Sequence, residues 1–236
     1  MPKPKLVIID GNAILHRAWH ALPPLTTKKG VVVNAVYGFL LVFLKVLKDL
    51  APSHLAVAFD VREPTFRHKA YAAYKATREK QPDELYAQIP ILKNILKTLG
   101  VTVIEAPGYE ADDIIGTLSK AADEKGVNNI VVTGDLDTLQ LVNENTSVFT
   151  LRKGLSDTMI YDEAAVKERF GLPPKSLLEF RGLKGDPYDN IPGVRGIGEK
   201  TASVLIEKFG TLENVYAAAE KSGKPPAPLT ERVRGL

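Results

Sequence analysis

The chain has no cysteine among its 236 residues, so neither disulfides nor thiolate metal sites are available to it. That absence suits a reducing cytoplasm. Histidine is scarce too, with four in all, and none of His16, His20, His54 and His68 shows metal-ligand spacing. No long hydrophobic run occurs. The longest apolar stretch, from Ala35 to Leu50, is broken by Lys45, Lys48 and Asp49 and is too short for a bilayer span, so it reads as a core helix. The start, Met1-Pro2-Lys3-Pro4-Lys5, passes straight into a short strand pattern and lacks the apolar stretch of a secretory signal. Internal repeats and low-complexity tracts are also missing.

What the chain does have is ordinary globular material, 44% hydrophobic and 25% charged, with a formal net charge of +3. The charges are unevenly spread. Nine carboxylates stand where acids have little structural reason to gather: Asp10, Asp60, Glu110, Asp112, Asp113, Asp135, Asp137, Asp186 and Asp189. Asp10 and Asp60 each end an apolar run, and Asp135 and Asp137 follow a third, Ile130-Val131-Val132-Thr133-Gly134. If those runs are parallel neighbouring strands, their carboxyl ends open into one crevice, where α/β sheets bind ligands. Crowded carboxylates repel unless protonated or bridged by cations. An oxygen-only ligand set points to magnesium or manganese, and two metals clamping a phosphodiester is a common use of such a set.

The segment Arg62 to Lys80 holds six Lys/Arg against two Glu, a local net of +4. An acidic crevice beside a basic strip suits a polyanion; a solvated helix face is the alternative. Within the strip Lys75 and Arg78 are three apart, which on a helix places them on one side, able to steady a phosphate.

Strand and helix patterns alternate. Strands are expected at 5–10, 55–60, 101–105 and 129–133, with helices at 12–21, 34–50 and about 110–125. A further helix has Asp83 as N-cap and a stripe of Leu85, Ile89, Leu92, Ile95, Leu96 and Leu99 ending at Gly100. That order predicts a mostly parallel sheet with helices on both faces. After about residue 162 short helical segments joined by Gly/Pro turns predict a small helical domain, giving domains of 1–161 and 162–236. Lys221 to Pro228 reads as a linker before a short helix.

Three motifs admit two readings each. In Gly108-Tyr109-Glu110-Ala111-Asp112-Asp113, the acids either offset a helix dipole or bind metal, with Glu110 and Asp113 facing one side. In Thr133-Gly134-Asp135-Leu136-Asp137, the pair either shares a cation from extended backbone or forms an Asx-turn before a helix. Gly193-Val194-Arg195-Gly196-Ile197-Gly198-Glu199-Lys200-Thr201 is either a plain turn or a helix start whose N–H groups grip a phosphate, anchored by Ile197, Val204, Leu205 and Phe209. It is not a Walker loop, because Glu199 intrudes between Gly198 and Lys200.

Together these stretches resemble the 5′-nuclease domain of bacterial DNA polymerase I and its flap-endonuclease relatives. The similarity runs in order from about residue 5 to 215, through Ile9-Asp10-Gly11-Asn12, Thr65-Phe66-Arg67, Tyr74-Lys75, Gly185-Asp186-Pro187-Tyr188-Asp189-Asn190-Ile191-Pro192-Gly193 and Gly196-Ile197-Gly198-Glu199-Lys200-Thr201-Ala202. It departs at Leu136, where many bacterial members carry lysine. The resemblance implies a PIN-like α/β domain with a helical arch at about 62–82, and a helix-three-turn-helix module that holds duplex DNA. It implies the nine acids as metal ligands, Asp186 being an outer member, for two Mg2+ ions that Mn2+ can replace. Lys75 and Arg78 act in catalysis, while Arg67, Tyr74, Gly193, Arg195, Gly196, Gly198, Lys200 and Thr201 meet DNA, with K+ at the last of these elements. The expected activity is metal-dependent 5′–3′ exonuclease and flap endonuclease cleavage of flapped, branched or nicked duplexes. The expected setting is replication primer removal and repair by a monomer in the bacterial cytoplasm, at the nucleoid, fused to or acting with a polymerase. Two rivals remain. A non-catalytic branched-DNA-binding module would tolerate substituted acids. An aspartyl phosphatase typically wants an Asp at position 12, where Asn stands.

Overall fold

The structure, a computed structural model, describes residues 3–222. They divide into two compact units. One runs up to Phe66 and resumes over Glu79–Asp162; the other joins Arg67–Arg78 to the residues from Glu163 onward. The expected linker lies, from residue 223, outside the described residues.

The first unit opens with β1 (Lys5–Asp10), α1 (Gly11–Ala21), α2 (Asn34–Leu50) and β2 (His54–Ala58). Next come α3 (Phe66–Ala70), where the chain passes into the second unit, then α4 (Asp83–Thr98), β3 (Thr102–Ile104), α5 (Ala111–Glu124) and β4 (Asn128–Thr133). A 3₁₀ turn over Leu136–Leu141 leads to β5 (Thr146–Lys153) and β6 (Asp157–Tyr161). The six strands form one sheet in the order β3-β2-β1-β4-β5-β6, parallel except for β6. Chain order reverses at β1, so the gap between β1 and β4 is the point where such sheets open a crevice.

Alternation along the strands divides the packing between two faces. Val7 and Ile9 of β1, with Val57, Phe59 and Val132, pack against Ile14, Leu15, Phe39, Phe43, Leu92 and Leu96 of α1, α2 and α4. Ile8 and Val131, equally buried, point the other way, toward the side of α5 with its buried Ile114, Ile115 and Ala122.

Helix α2 matches its expected span, yet its N-cap residue Val33 offers no side-chain bond. The cap comes from α4 instead. Gln88, fully buried, accepts the N–H groups of Ala35 (2.9 Å) and Val36 (3.1 Å) and donates to Asn34 Oδ1 (3.2 Å) and the Glu84 carbonyl (3.3 Å). Orphan donors at a helix start need such partners. The sequence pattern misses this glutamine because a hydrophobic stripe does not count polar residues.

The second unit contains α6 (Glu163–Phe170), a 3₁₀ turn at Pro174–Ser176, α7 (Leu177–Lys184), β7 (Gly185–Asp186), β8 (Ile191–Pro192), α8 (Glu199–Phe209) and α9 (Leu212–Ser222). Leu172, Phe180, Leu183, Ile197, Ala202, Leu205, Ile206 and Val215 form its core. Gly193 packs directly on the Lys184–Gly185 backbone, where any Cβ would collide with main chain.

Several expectations need correction. Strands β5 and β6 fall in a stretch where no strand was expected. Pro82, not Asp83, is the cap residue of α4, and Leu99 at its end is exposed. The strip from 62 to 82 is not one helix: after α3 it runs as turns over 72–77, and Lys75 has a left-handed φ of 56°. The argument that Lys75 and Arg78 share a helix face therefore fails. Val204, expected to anchor the glycine turn, is exposed.

Replacing Gln88 with Ala leaves two buried N–H groups unmet and should cost about 3 kcal/mol of stability, whereas Leu99→Ala should change it by less than about 0.5 kcal/mol. Urea unfolding of the two variants checks the contrast.

Candidate metal centre and nucleic-acid interface

Register decides where the acids of the first unit emerge. Asp10 is level with Ala58 across β1 and β2, and Ile9 is level with Val132 across β1 and β4. Asp60 and Asp135 each lie two residues past the end of their strand, β2 and β4. All three therefore leave three neighbouring strands at the same edge.

Asp10 caps α1. Its Oδ1 accepts the Ala13 N–H at 2.9 Å and its Oδ2 accepts the Thr133 hydroxyl at 2.8 Å, while the residue is only 5% exposed. Burial, the largest influence, pushes its pKa up to about 6. The Ala13 and Thr133 bonds pull it down, and the neighbouring charges of Asp60 and Asp135 push it up. The following residue has to be glycine, since a Cβ at Gly11 would stand 2.5 Å from the Phe59 ring.

The other acids are held just as firmly. Asp60 receives the Ala111 N–H at 2.6 Å, tying the start of α5 to the end of β2, and its own N–H donates to Asn12 Oδ1 at 3.1 Å. Glu110 and Asp113 form a reciprocal capping box, with the Glu110 N–H donating to Asp113 Oδ2 at 2.9 Å. The Thr65 hydroxyl donates to the buried Glu110 carboxylate at 3.4 Å. Asp112 is exposed on the first turn of α5. Asp135 accepts the Asp137 N–H at 2.8 Å, an Asx-turn opening the 3₁₀ segment, and its own N–H donates to Thr133 Oγ1 at 3.0 Å. Asp137 is thus in a helical turn, and the period-two argument for pairing it with Asp135 does not apply.

Both capping readings of these motifs are therefore realised. They leave room for a cation, because each carboxylate has further lone pairs. Among the described residues no three acids or histidines stand close enough to hold an ion as placed. The donor set still fits a hard divalent cation: it is all oxygen, and Asp60 and Asp135 destabilise the charge on Asp10, which a cation would relieve. Asn12, Thr65 and Thr133 were not assigned from sequence, although all three lie inside quoted motifs. A groove of about 610 Å³ opens beside Asp60, lined by Arg62, Tyr86, Ile89, Pro90 and Lys93 among others, with Arg62 stacked 4.4 Å from the Tyr86 ring centre.

Asp186 and Asp189 belong to the second unit. Asp186 Oδ1 accepts the N–H groups of Tyr188 (2.9 Å) and Asp189 (3.3 Å), and its other oxygen lies 3.7 Å from Arg181. Asp189 pairs with the Arg78 guanidinium, which also covers the Tyr188 ring at 4.4 Å. The Lys75 N–H donates to the Asp189 carbonyl at 2.9 Å, and the Asn190 amide to the Ala73 carbonyl at 2.8 Å. The basic strip is laced to this turn. Tyr74 is buried edge-on to His68 with Lys75 Nζ 4.9 Å from its ring, and Thr201 is buried too. Arg67 is half-buried, while Arg195, Gly196, Gly198 and Lys200 are exposed around the start of α8, pinned by the buried Ile197.

A family model described as "5′-3′ exonuclease, N-terminal resolvase-like domain" matches residues 5–171, and its companion, "5′-3′ exonuclease, C-terminal SAM fold", matches residues 172–234. The chain belongs to the 5′–3′ exonuclease family. Members similar to it include DNA polymerase I of Mycobacterium bovis, 46% identical over 227 residues, and that of Bacillus subtilis, 45% identical over 221. These alignments take in 94% and 93% of this chain, but the chain spans about a quarter (25%) of the length of either relative. Among solved structures, the T5 D15 protein co-crystallised with metal ions superposes with a TM-score of 0.73 at 21% identity, over 89% of this chain and 78% of that one. The catalytic core of Rad2 in complex with DNA gives 0.57 at 20%, over 94% and 67%. The expected resemblance, fold class and enzyme class are thereby borne out: this is a nuclease domain of the 5′–3′ exonuclease type, with a mostly parallel sheet and a second helical unit.

The raised pKa of Asp10 has a testable sign. Between pH 3.8 and about 6 the folded state holds a proton that the unfolded chain has lost, so in EDTA stability should fall as pH rises through that window, by at most about 3 kcal/mol. Asp10→Asn keeps the cap and should flatten the profile. Melting temperatures across pH 4 to 7 test both statements.

Proposed function

We propose that this exonuclease-family chain is a structure-specific 5′ nuclease, hydrolysing phosphodiesters at 5′ flaps and 5′ ends of duplex DNA with two divalent ions. The register-aligned exit of Asp10, Asp60 and Asp135 at one sheet edge carries the proposal. Magnesium, or manganese in its place, would be held by these three with Glu110, Asp112, Asp113 and Asp137; Asp186 and Asp189 are the further metal-binding acids of the proposal. When bound, such ions supply activation of water and stabilisation of the leaving oxygen.

The chain's own groups do the rest. Backbone N–H groups at Ala13, Ala111 and Asp137 fix the carboxylates before substrate arrives, so little reorganisation is needed during the reaction. Lys75 and Arg78 steady the phosphate, with Arg67 and Tyr74 in the same strip. The Gly193–Thr201 turn, exposed at Arg195, Gly196, Gly198 and Lys200, grips duplex backbone through N–H groups, with a K+ ion there as part of the proposal. Domains of about 1–161 and 162–236 would divide chemistry from grip.

The relatives support this setting by name. The two polymerases are DNA polymerase I, and a T5 D15 flap endonuclease structure is a complex with DNA and metal ions. We place the chain accordingly in bacterial primer removal and repair, as a cytoplasmic, nucleoid-associated monomer fused to or working with a polymerase. No helix among the described residues is long and apolar enough to cross a membrane.

A labelled 5′-flap duplex should be cut near the junction in magnesium and left intact in EDTA. Binding without cutting in either magnesium or manganese would favour a branched-DNA-binding module instead. Asp135→Asn should lower the cleavage rate by at least about a hundredfold with DNA affinity retained. Affinity should also fall steeply with salt, as several phosphate contacts require.

A further inference from the structure

Two large aromatic side chains of the first unit, Phe66 and Tyr109, are each about half exposed. Phe66 is 47% exposed and Tyr109 is 54% exposed, yet their rings meet at 5.8 Å between centroids with 59° between planes. The pair is built in from below. The Phe66 N–H donates to the Gly108 carbonyl at 3.1 Å, and the Tyr109 N–H donates to the Ala106 carbonyl at 3.1 Å. Gly108 has a φ of 82°, a left-handed conformation that turns the chain there. One residue along each strand of this crossing, Thr65 donates to Glu110 at 3.4 Å, both buried. The same short segments therefore present a carboxylate inward and an aromatic pair outward. Ala111, the next residue, is bonded to Asp60, so the pair sits on the rim of the carboxylate crevice.

Exposed aromatic surface fixed beside a site is a binding feature rather than a packing remnant. Its chemical surroundings say what it binds. Arg62, Arg67 and Lys69 flank Phe66 in the sequence, within a segment of net charge +4, which suits a polyanion. A flat π-face next to cationic groups fits a nucleobase on a phosphate backbone, and stacking is available only to a base that has left its own duplex.

We propose that Phe66 and Tyr109 form a stacking platform for the unpaired base next to the phosphate being cut, and so favour tailed over flush DNA ends. The assignment rests on the nuclease reading for its substrate, but its test does not. In EDTA, where no cutting is expected, binding is measured to a duplex with a short single-stranded 5′ tail and to the same duplex with a flush end. Tyr109→Ala and Phe66→Ala should each weaken binding of the tailed duplex by about tenfold and leave the flush duplex unchanged. A 2-aminopurine at the first unpaired position should be quenched on binding to the wild-type protein and to Tyr109→Phe, and not to Tyr109→Ala. Equal losses on both duplexes, or a 2-aminopurine signal indifferent to Tyr109→Ala, overturn the platform. A melting temperature within a few degrees of wild type shows that the variants fold. Cleavage by the wild-type protein in magnesium bears on the nuclease reading alone.

Discussion

Mutual repulsion between acids at the ends of adjacent strands is the constraint around which the first unit is organised. Parallel strands in register deliver Asp10, Asp60 and Asp135 to one edge, and the side-chain charges then raise one another's energy. A fold tolerates this only when each carboxylate is held by donors. Here the donors are the first N–H groups of α1, α5 and the 3₁₀ turn after β4, with the Thr133 hydroxyl added at Asp10.

Capping and metal binding are therefore not competing explanations for these acids. A helix start offers partial positive charge, which offsets part of the cost of gathering anions and fixes their rotamers. Removing the caps would free the side chains to spread apart. Keeping them leaves the carboxylates of Asp10, Asp60 and Asp135 fixed by backbone donors.

The second unit manages its acids differently. Asp186 and Asp189 face Arg181 and Arg78 rather than helix starts alone, and the turn they occupy is tied to the basic strip 67–78 by a Lys75–Asp189 backbone bond and by the Asn190 side chain. The glycine positions serve close approach of main chain. Gly193 lies on the backbone of Lys184, and Gly196 takes a φ of 82° at the exposed turn before α8.

Much of this was legible in the residues. Apolar runs ending in Asp marked β1 and β2, and the α2 span matched its periodicity, because local pattern and chemistry write themselves into neighbouring letters. What depended on distant partners was not legible. Gln88 reads as a break in a hydrophobic stripe, yet it caps a helix more than fifty residues away in sequence. Asp135 and Asp137 admitted either a shared cation or an Asx-turn until the structure showed the turn, and Lys75 sits in turns beyond α3 with a positive φ. Sequence alone determined which chemical groups are present and which strands they terminate, since side-chain type and alternation are local properties. Only the tertiary structure decided register, caps and exposure, because each is a free energy shared between segments that the linear order keeps apart.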